Sequence, residues 1–385
     1  ATRLDAGVLP AGQDAVFLQY GTLDGFTVSN APRHGIKSEH GAVLNCLVTH
    51  SRHNGIDSYT TPRIVADSRL IVSNTVVRNS ATNGIYTCAV DTRIENCLIA
   101  DSGGTGVSLR QNDTVAPIQV PRVSNFLIRA STVASNGNGG IGVAFWNYDA
   151  SLPTVPVWIA DCLIEHNVGV RGGGVSDGAG EWNPDRSSGL QIFRSVVRRN
   201  VALGGGGIWF MPNRAPAVRH SFIEENQATG DGGGLYVFGS SGSVRSCLVR
   251  GNESGGSGGG VYQSGSGVLY NCTLLRNSAL RGGGAYGGAA RNCIVYHNAA
   301  GEFSESYGVG FLYSCTTPLA AGIGNVAASP QFAGYDNFRL VADSPCIDAG
   351  HFEHAVDDVD LDGDPRIWGG GIDMGCDEFY LPGLG

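Results

Sequence analysis

Short runs in which aliphatic and polar residues alternate recur along the chain, broken by Asn, Ser and Gly and never by a helical period. The runs belong to one repeated phrase: Asn-Cys-Leu-Ile/Val, two variable residues, Asn, a short linker, a glycine triplet, then an aliphatic residue. It is clearest at Asp161-Cys162-Leu163-Ile164 with Asn167 and glycines 172–174, and at Cys247-Leu248-Val249 with Asn252 and glycines 258–260. Further copies carry Asn200, Asn226, Asn277 and Asn298, and a looser form is legible at Asn30, His50, Asn79, Asp101 and Asn136. That makes eleven markers spaced 20 to 35 residues apart, the period of a solenoid.

Two short strands per repeat, one at Cys-Leu-Ile and one after the glycines, predict strands that stack on their own copies in the next coil. Parallel stacking places equivalent residues about 4.8 Å apart, so the marker asparagines are expected to form an internal hydrogen-bonded ladder along a rod on the order of 50 Å long. The glycines supply a corner where a Cβ would clash with the next coil. The fold class is therefore all-β, a right-handed parallel β-helix of about eleven coils over residues 1–315, with a C-terminal cap at 316–385. A leucine-rich repeat is excluded, because its Leu-x-x-Leu-x-Leu pattern and helices are missing.

Composition narrows the function classes. Charged residues make up 15% of the 385, the net charge is -9, and Lys37 is the only lysine, which excludes a nucleic-acid partner and a polybasic membrane role. No apolar run is long enough for a membrane span. No leader precedes Ala1, as in a processed exported chain or a trimmed one. The ten cysteines match no CxxC motif. Cys46, Cys97, Cys162, Cys247, Cys272 and Cys293 share one slot before the inward Leu and read as stacked free thiols. A bridge between Cys346 and Cys376 stays open.

The C-terminus carries Ser-Pro-Cys-Ile-Asp-Ala-Gly at 344–350, Asp-Leu-Asp-Gly-Asp-Pro-Arg at 360–366, and Gly-Ile-Asp-Met-Gly at 371–375 followed by Glu378-Phe379. These motifs, with Asn-Cys-Ile-Val-Tyr-His-Asn at 292–298 and Cys-Thr-Thr-Pro at 315–318, resemble the β-helix surface proteins of the choice-of-anchor Q family. The resemblance covers nearly the whole chain and implies export, an extracellular or cell-surface location and an anchor beyond the cap. It implies no single reaction, and relatives usually have further N-terminal coils, so both ends look trimmed.

Three constellations bear on chemistry. Asp358, Asp360 and Asp362 alternate ahead of Gly363 and Asp364, like the first half of a calcium loop; Gly369 stands where an EF-hand needs its Glu. The alternative is an acidic turn held by Arg366. Long excursions after the glycine strand carry Arg110, Trp146, Tyr148, Asp149, Asp177, Glu181, Trp182, Asp185, Arg186, Trp209 and Arg214. Insertions at one repeat position emerge on one face, so Trp146, Tyr148, Trp182, Trp209 and Arg214 predict a glycan-binding flank. The competing expectation is that these aromatics only pack the loops onto the coils. Asp149, Asp177, Glu181 and Asp185 are the candidate hydrolytic carboxylates, with Arg110 or Arg186 as the base of a lyase. Third, His34 and His53 lie in similar turns of the first two coils, with His50 at a marker position, as exposed polar residues or as a zinc cluster.

The leading expectation is a structural or adhesive extracellular β-helix, binding polysaccharide or a surface protein along one flank. The alternatives are a β-helix polysaccharide lyase or glycosidase, and a fibre subunit associating end to end.

Overall fold

The computed structural model describes residues 2–59, 68–89, 91–112, 125–146, 155–178, 189–210, 217–239 and 242–380, with side chains 111–112 and 145–146 outside the description. It divides into two compact units, 1–191 and 192–385. Each unit is a right-handed parallel β-helix. Among the described residues the only helical element is the 3-10 turn Phe352–His354, and no helix is long and apolar enough to cross a membrane.

In the first unit one sheet runs through Thr2–Asp5, Phe26–Ser29, Leu47–Thr49, Val76–Arg78, Leu98–Ala100, Thr132–Ala134 and Leu163–Glu165. Its inward residues Val28, Val48, Val77, Ile99, Val133 and Ile164 are in register and fully buried. Each such side chain contributes about 1.5–3 kcal/mol by leaving water. The second unit repeats the arrangement with Val197, Ile223, Val249, Leu274 and Val295. Thr2–Asp5 and Cys315–Thr316 are strands of this sheet that no marker announces, so the coils outnumber the eleven expected.

The coils also carry a third strand, where two are expected, and five coils of the second unit add a fourth short one, from Val201–Ala202 to Ala299–Glu302. The additional sheet, with Gly41–Leu44, Arg69–Ser73 and Asp91–Glu95 in the first unit, reads as continuous with the Cys-Leu-Ile run. A single left-handed residue makes the corner between them: Asn45 at φ 51°, Asn74 at 49° and Asn96 at 53°. Asparagine tolerates this conformation better than most side chains.

The asparagine ladder exists and starts later than expected. Asn136 donates its backbone N–H (3.0 Å) and its Nδ2 (2.9 Å) to Oδ1 of Asn167. In the second unit the same double bond links Asn200 to Asn226, Asn226 to Asn252, Asn252 to Asn277 and Asn277 to Asn298. The Nδ2 groups also reach strand carbonyls, as Asn252 does to Ile223 at 2.9 Å. Glu305 ends the column, its Oε2 accepting both donors of Asn298. Asn30, His50, Asn79 and Asp101 are not rungs. They occupy the left-handed corner one residue earlier, at φ 54–57°, and the rung position beside them holds Ala31, Ser51, Ser80 and Ser102.

The cysteine slot is a second column, in which Cys, Ser and Thr interchange. The Cys97 N–H donates to Ser131 Oγ, the Cys293 N–H to Ser314 Oγ, and each Sγ lies 3.0–3.6 Å from carbonyls, including Leu44 and Leu23 for Cys46. All ten cysteines are free and buried. Burial pushes the Cys97 thiol up to about 11 and the Cys162 thiol up to about 12. The inward aliphatic residue is the second after Cys, not the first: Leu47, Leu98 and Leu163 are half-buried on the outer face.

In the second unit that outer face is covered. Leu248 and Leu275 pack with Leu361 and Cys376, while Ile294 packs with Leu340, Cys346 and Met374. Residues 316–380 thus lie along the side of the coils, tied by Gly375 N–H to Asn292 O and Cys376 N–H to Thr273 Oγ1. Val326, bridging Cys315, and Asn325, accepting from Ser314 N–H, continue the stack.

Two outcomes are expected on substitution. Asn252→Ala strands the two donors of Asn226 and should lower stability by roughly 2–6 kcal/mol, at about 1–3 kcal/mol per buried unsatisfied group; denaturant unfolding of the second unit checks it. Gly233→Ala drives a Cβ into the carbonyl oxygens of Glu253 and Gly259, and should cost about 1–3 kcal/mol in the same assay.

Candidate functional site

Most of the expected flank lies outside the described residues: Tyr148, Asp149, Glu181, Trp182, Asp185, Arg186 and Arg214, together with the Trp146 side chain. Three of the named residues are placed, all on the sheet that follows the glycine corner. Asp177 ends the strand Val175–Asp177 and is only 1% exposed. The strand period of two puts it with Val175 in the inward column, in register with Val143 and Leu109. It is therefore interior, and not one of two opposed surface carboxylates. Arg110 is half-buried on the outward face, where its Nε donates to Ser108 Oγ at 3.3 Å.

Trp209 heads an outward column of aromatic rings. Parallel register sets Trp209, Tyr236, Tyr262, Tyr286 and Tyr307 one above another. Their centroids are 3.9, 4.7, 5.1 and 5.1 Å apart, with interplanar angles of 12–24°. Each ring covers its neighbour's face, so the column presents ring edges and tyrosine hydroxyls outward. Phe238 and Phe303 extend it, stacked on Tyr236 and tilted against Tyr307, and both are exposed. The phrase Gly-Gly-Gly-aliphatic-aromatic, as in Leu235-Tyr236 and Val261-Tyr262, carries this signal in the sequence. It is missed when only the loops are searched.

In the first unit the same outward position holds polar groups: Lys37, Asp57, Tyr86 and Ser108 are in register. Asp57 is buried and contacts Lys37 Nζ, Asn54 Nδ2 and the Tyr59 N–H. His34 is buried against this carboxylate rather than exposed in a turn, 3.7 Å away through Nδ1. His53 stacks obliquely on His34 at 5.5 Å, while His50 stands apart at a left-handed corner.

The acidic segment of the cap is organised around backbone amides. Asp360 is fully buried; its Oδ1 accepts the N–H groups of Asp362, Gly363 and Asp364, and Oδ2 that of Glu378. Asp362 pairs with Arg339, and Asp358 and Asp364 are exposed. Arg366, 1% exposed, pairs with Glu378 at 3.3 Å and donates to the carbonyls of Asp373 and Gly375. Among the described residues no group of three or more His, Cys, Asp or Glu side chains is arranged to hold a metal ion.

The fold and these columns define a right-handed parallel β-helix. The family described as right-handed β-helix region matches residues 16–180. The crystal structure of pectate lyase Pel9A is similar at a TM-score of 0.41 and 13% identity, over 97% of this chain and 90% of that one. Comparison with curated protein sequences finds no match.

The cap network sets a pH dependence. Burial pushes Asp373 and Asp377 up to about 6 and Glu378 up to about 8, against the opposing guanidinium groups of Arg366 and Arg339. In the unfolded chain these groups titrate near 4, so the folded cap binds more protons and its stability falls as pH rises from about 4 through 8. Burial lowers His220 and His354, which face the cap and reside in it, so their contribution is lost below about 6.5. Hydrogen exchange of peptides spanning 372–379 is expected to accelerate between pH 6.5 and 9 after correction for intrinsic rates, with first-unit peptides as the control.

Proposed function

We propose that the chain is a non-enzymatic structural and adhesive β-helix of the exported, cell-surface kind, which binds polysaccharide along the edge of its aromatic column. The observation that carries this reading is the Trp209–Tyr307 column. Regularly spaced hydroxyls beside apolar ring edges suit a polymer that offers hydroxyls and C–H faces at intervals. Many weak contacts of this kind sum through multivalency. The cap motifs at 344–350 and 360–375 support a relationship to the choice-of-anchor Q surface proteins. A structural role also agrees with how the buried polar groups are used: Asp177 sits inside the coil, and Asp360 and Arg366 hold the cap.

Affinity electrophoresis against a panel of extracellular polysaccharides tests the proposal. Binding is expected, and Tyr262→Phe with Tyr286→Phe should weaken it about ten- to thirtyfold. That factor follows from losing two hydrogen bonds at roughly 1 kcal/mol each, while the stack itself is kept. Unchanged affinity in the double variant would remove the column from the account. Release of unsaturated or reducing sugar ends by the wild-type chain would replace the proposal with a lyase or a hydrolase.

A further inference from the structure

In the first unit, the outward position after the glycine corner contains an arrangement that ion pairing alone does not account for. Of the Lys and Arg pairs among the described residues, two have both side chains no more than 15% exposed: Arg366 with Glu378, and Lys37 with Asp57. Arginine suits a buried pair, because its planar fork satisfies a carboxylate bidentately and is weakly hydrated. The chain uses arginine for its other basic side-chain pairs with Asp or Glu, histidines aside, and places its single lysine here. Lysine differs chemically in one respect that matters: its amine, once deprotonated, is a nucleophile.

Lys37 and Asp57 are register partners on neighbouring parallel strands, so Nζ has to fold back onto the carboxyl to touch Oδ1 as it does. Both carboxyl oxygens are already held. The Tyr59 N–H donates to Oδ1 at 3.1 Å, and Asn54 Nδ2 donates to Oδ2 at 2.6 Å. His34 Nδ1 is buried, has no hydrogen-bond partner and lies 3.7 Å from Oδ2. Two charges kept at such a position bear a desolvation cost that condensation would abolish.

We propose that Lys37 and Asp57 are joined by an isopeptide bond that links successive coils of the first unit. The Nζ–Cγ bond forms and the Cγ–Oδ2 bond breaks. An ammonium and a carboxylate become an amide and one water, with no net proton and no oxidant or co-reactant. Nζ sheds two protons in turn, and His34 accepts each and passes it to the departing Oδ2, which leaves as water. Oδ1 remains as the amide oxygen on the Tyr59 N–H, which stabilises the negative charge developing there during attack. His34 thus acts as proton carrier and Asn54 as a positioning residue.

Intact-mass spectrometry of the purified full-length chain tests this directly. The wild type is expected to be lighter than its sequence by one water, and tandem spectra of a protease digest should contain a branched peptide joining Lys37 to Asp57. Lys37→Arg, which keeps the charge pair, should restore the full mass. His34→Ala should leave an unlinked fraction that grows in freshly made protein. A wild-type chain at its full sequence mass with a linear Lys37 peptide overturns the proposal, as does a water loss that maps elsewhere without a branched peptide.

Discussion

A solenoid coil turns its backbone through corners that face the interior, and the N–H groups at those corners cannot reach water. The structure depends on satisfying them. In the second unit one residue type does so four times in succession: an asparagine whose Oδ1 takes both the backbone and the side-chain N–H of the asparagine before it. Because the acceptor always belongs to the following coil, the ladder is directional and needs a terminus that donates nothing onward. Glu305 meets that requirement as a pure acceptor, although burial raises its pKa. The glycine corner is the complementary constraint, where the next coil approaches too closely for any side chain.

The asparagine, cysteine and glycine columns were legible because each returns at the coil period. What the period conceals is phase. Asn30, His50, Asn79 and Asp101 resemble rungs, yet left-handed corners and rungs are adjacent, and Asn is favourable at both for different reasons. The third strand was hidden because a corner of one left-handed residue, such as Asn45, leaves no gap in the apolar pattern. Asp177 was misplaced for a related reason: a carboxylate reads as surface, and only strand parity shows that it points inward with Val175. The cap motifs marked a distinct segment, but nothing local in them states that Leu361 and Cys376 pack sideways on Leu248 and Leu275.

The outward column after the glycine corner is where the coils carry residues that the fold does not require. A stack of aromatic rings in the second unit and a buried Lys-Asp-His group in the first occupy the same position of the repeat. Parallel in-register stacking explains how one slot of the repeat serves both purposes. It sets like beside like at one strand spacing, which suits aromatic stacking and equally brings an amine onto a carboxylate. The chemistry of the chain follows from which side chain each copy places there.

Residue-resolved native hydrogen exchange of the second unit most directly tests the claim that the asparagine ladder holds the coils. The backbone amides of Asn200, Asn226, Asn252 and Asn277 should be among the slowest to exchange in that unit, despite lying at turns. Exchange at these positions at the rate of exposed loop amides would contradict the account.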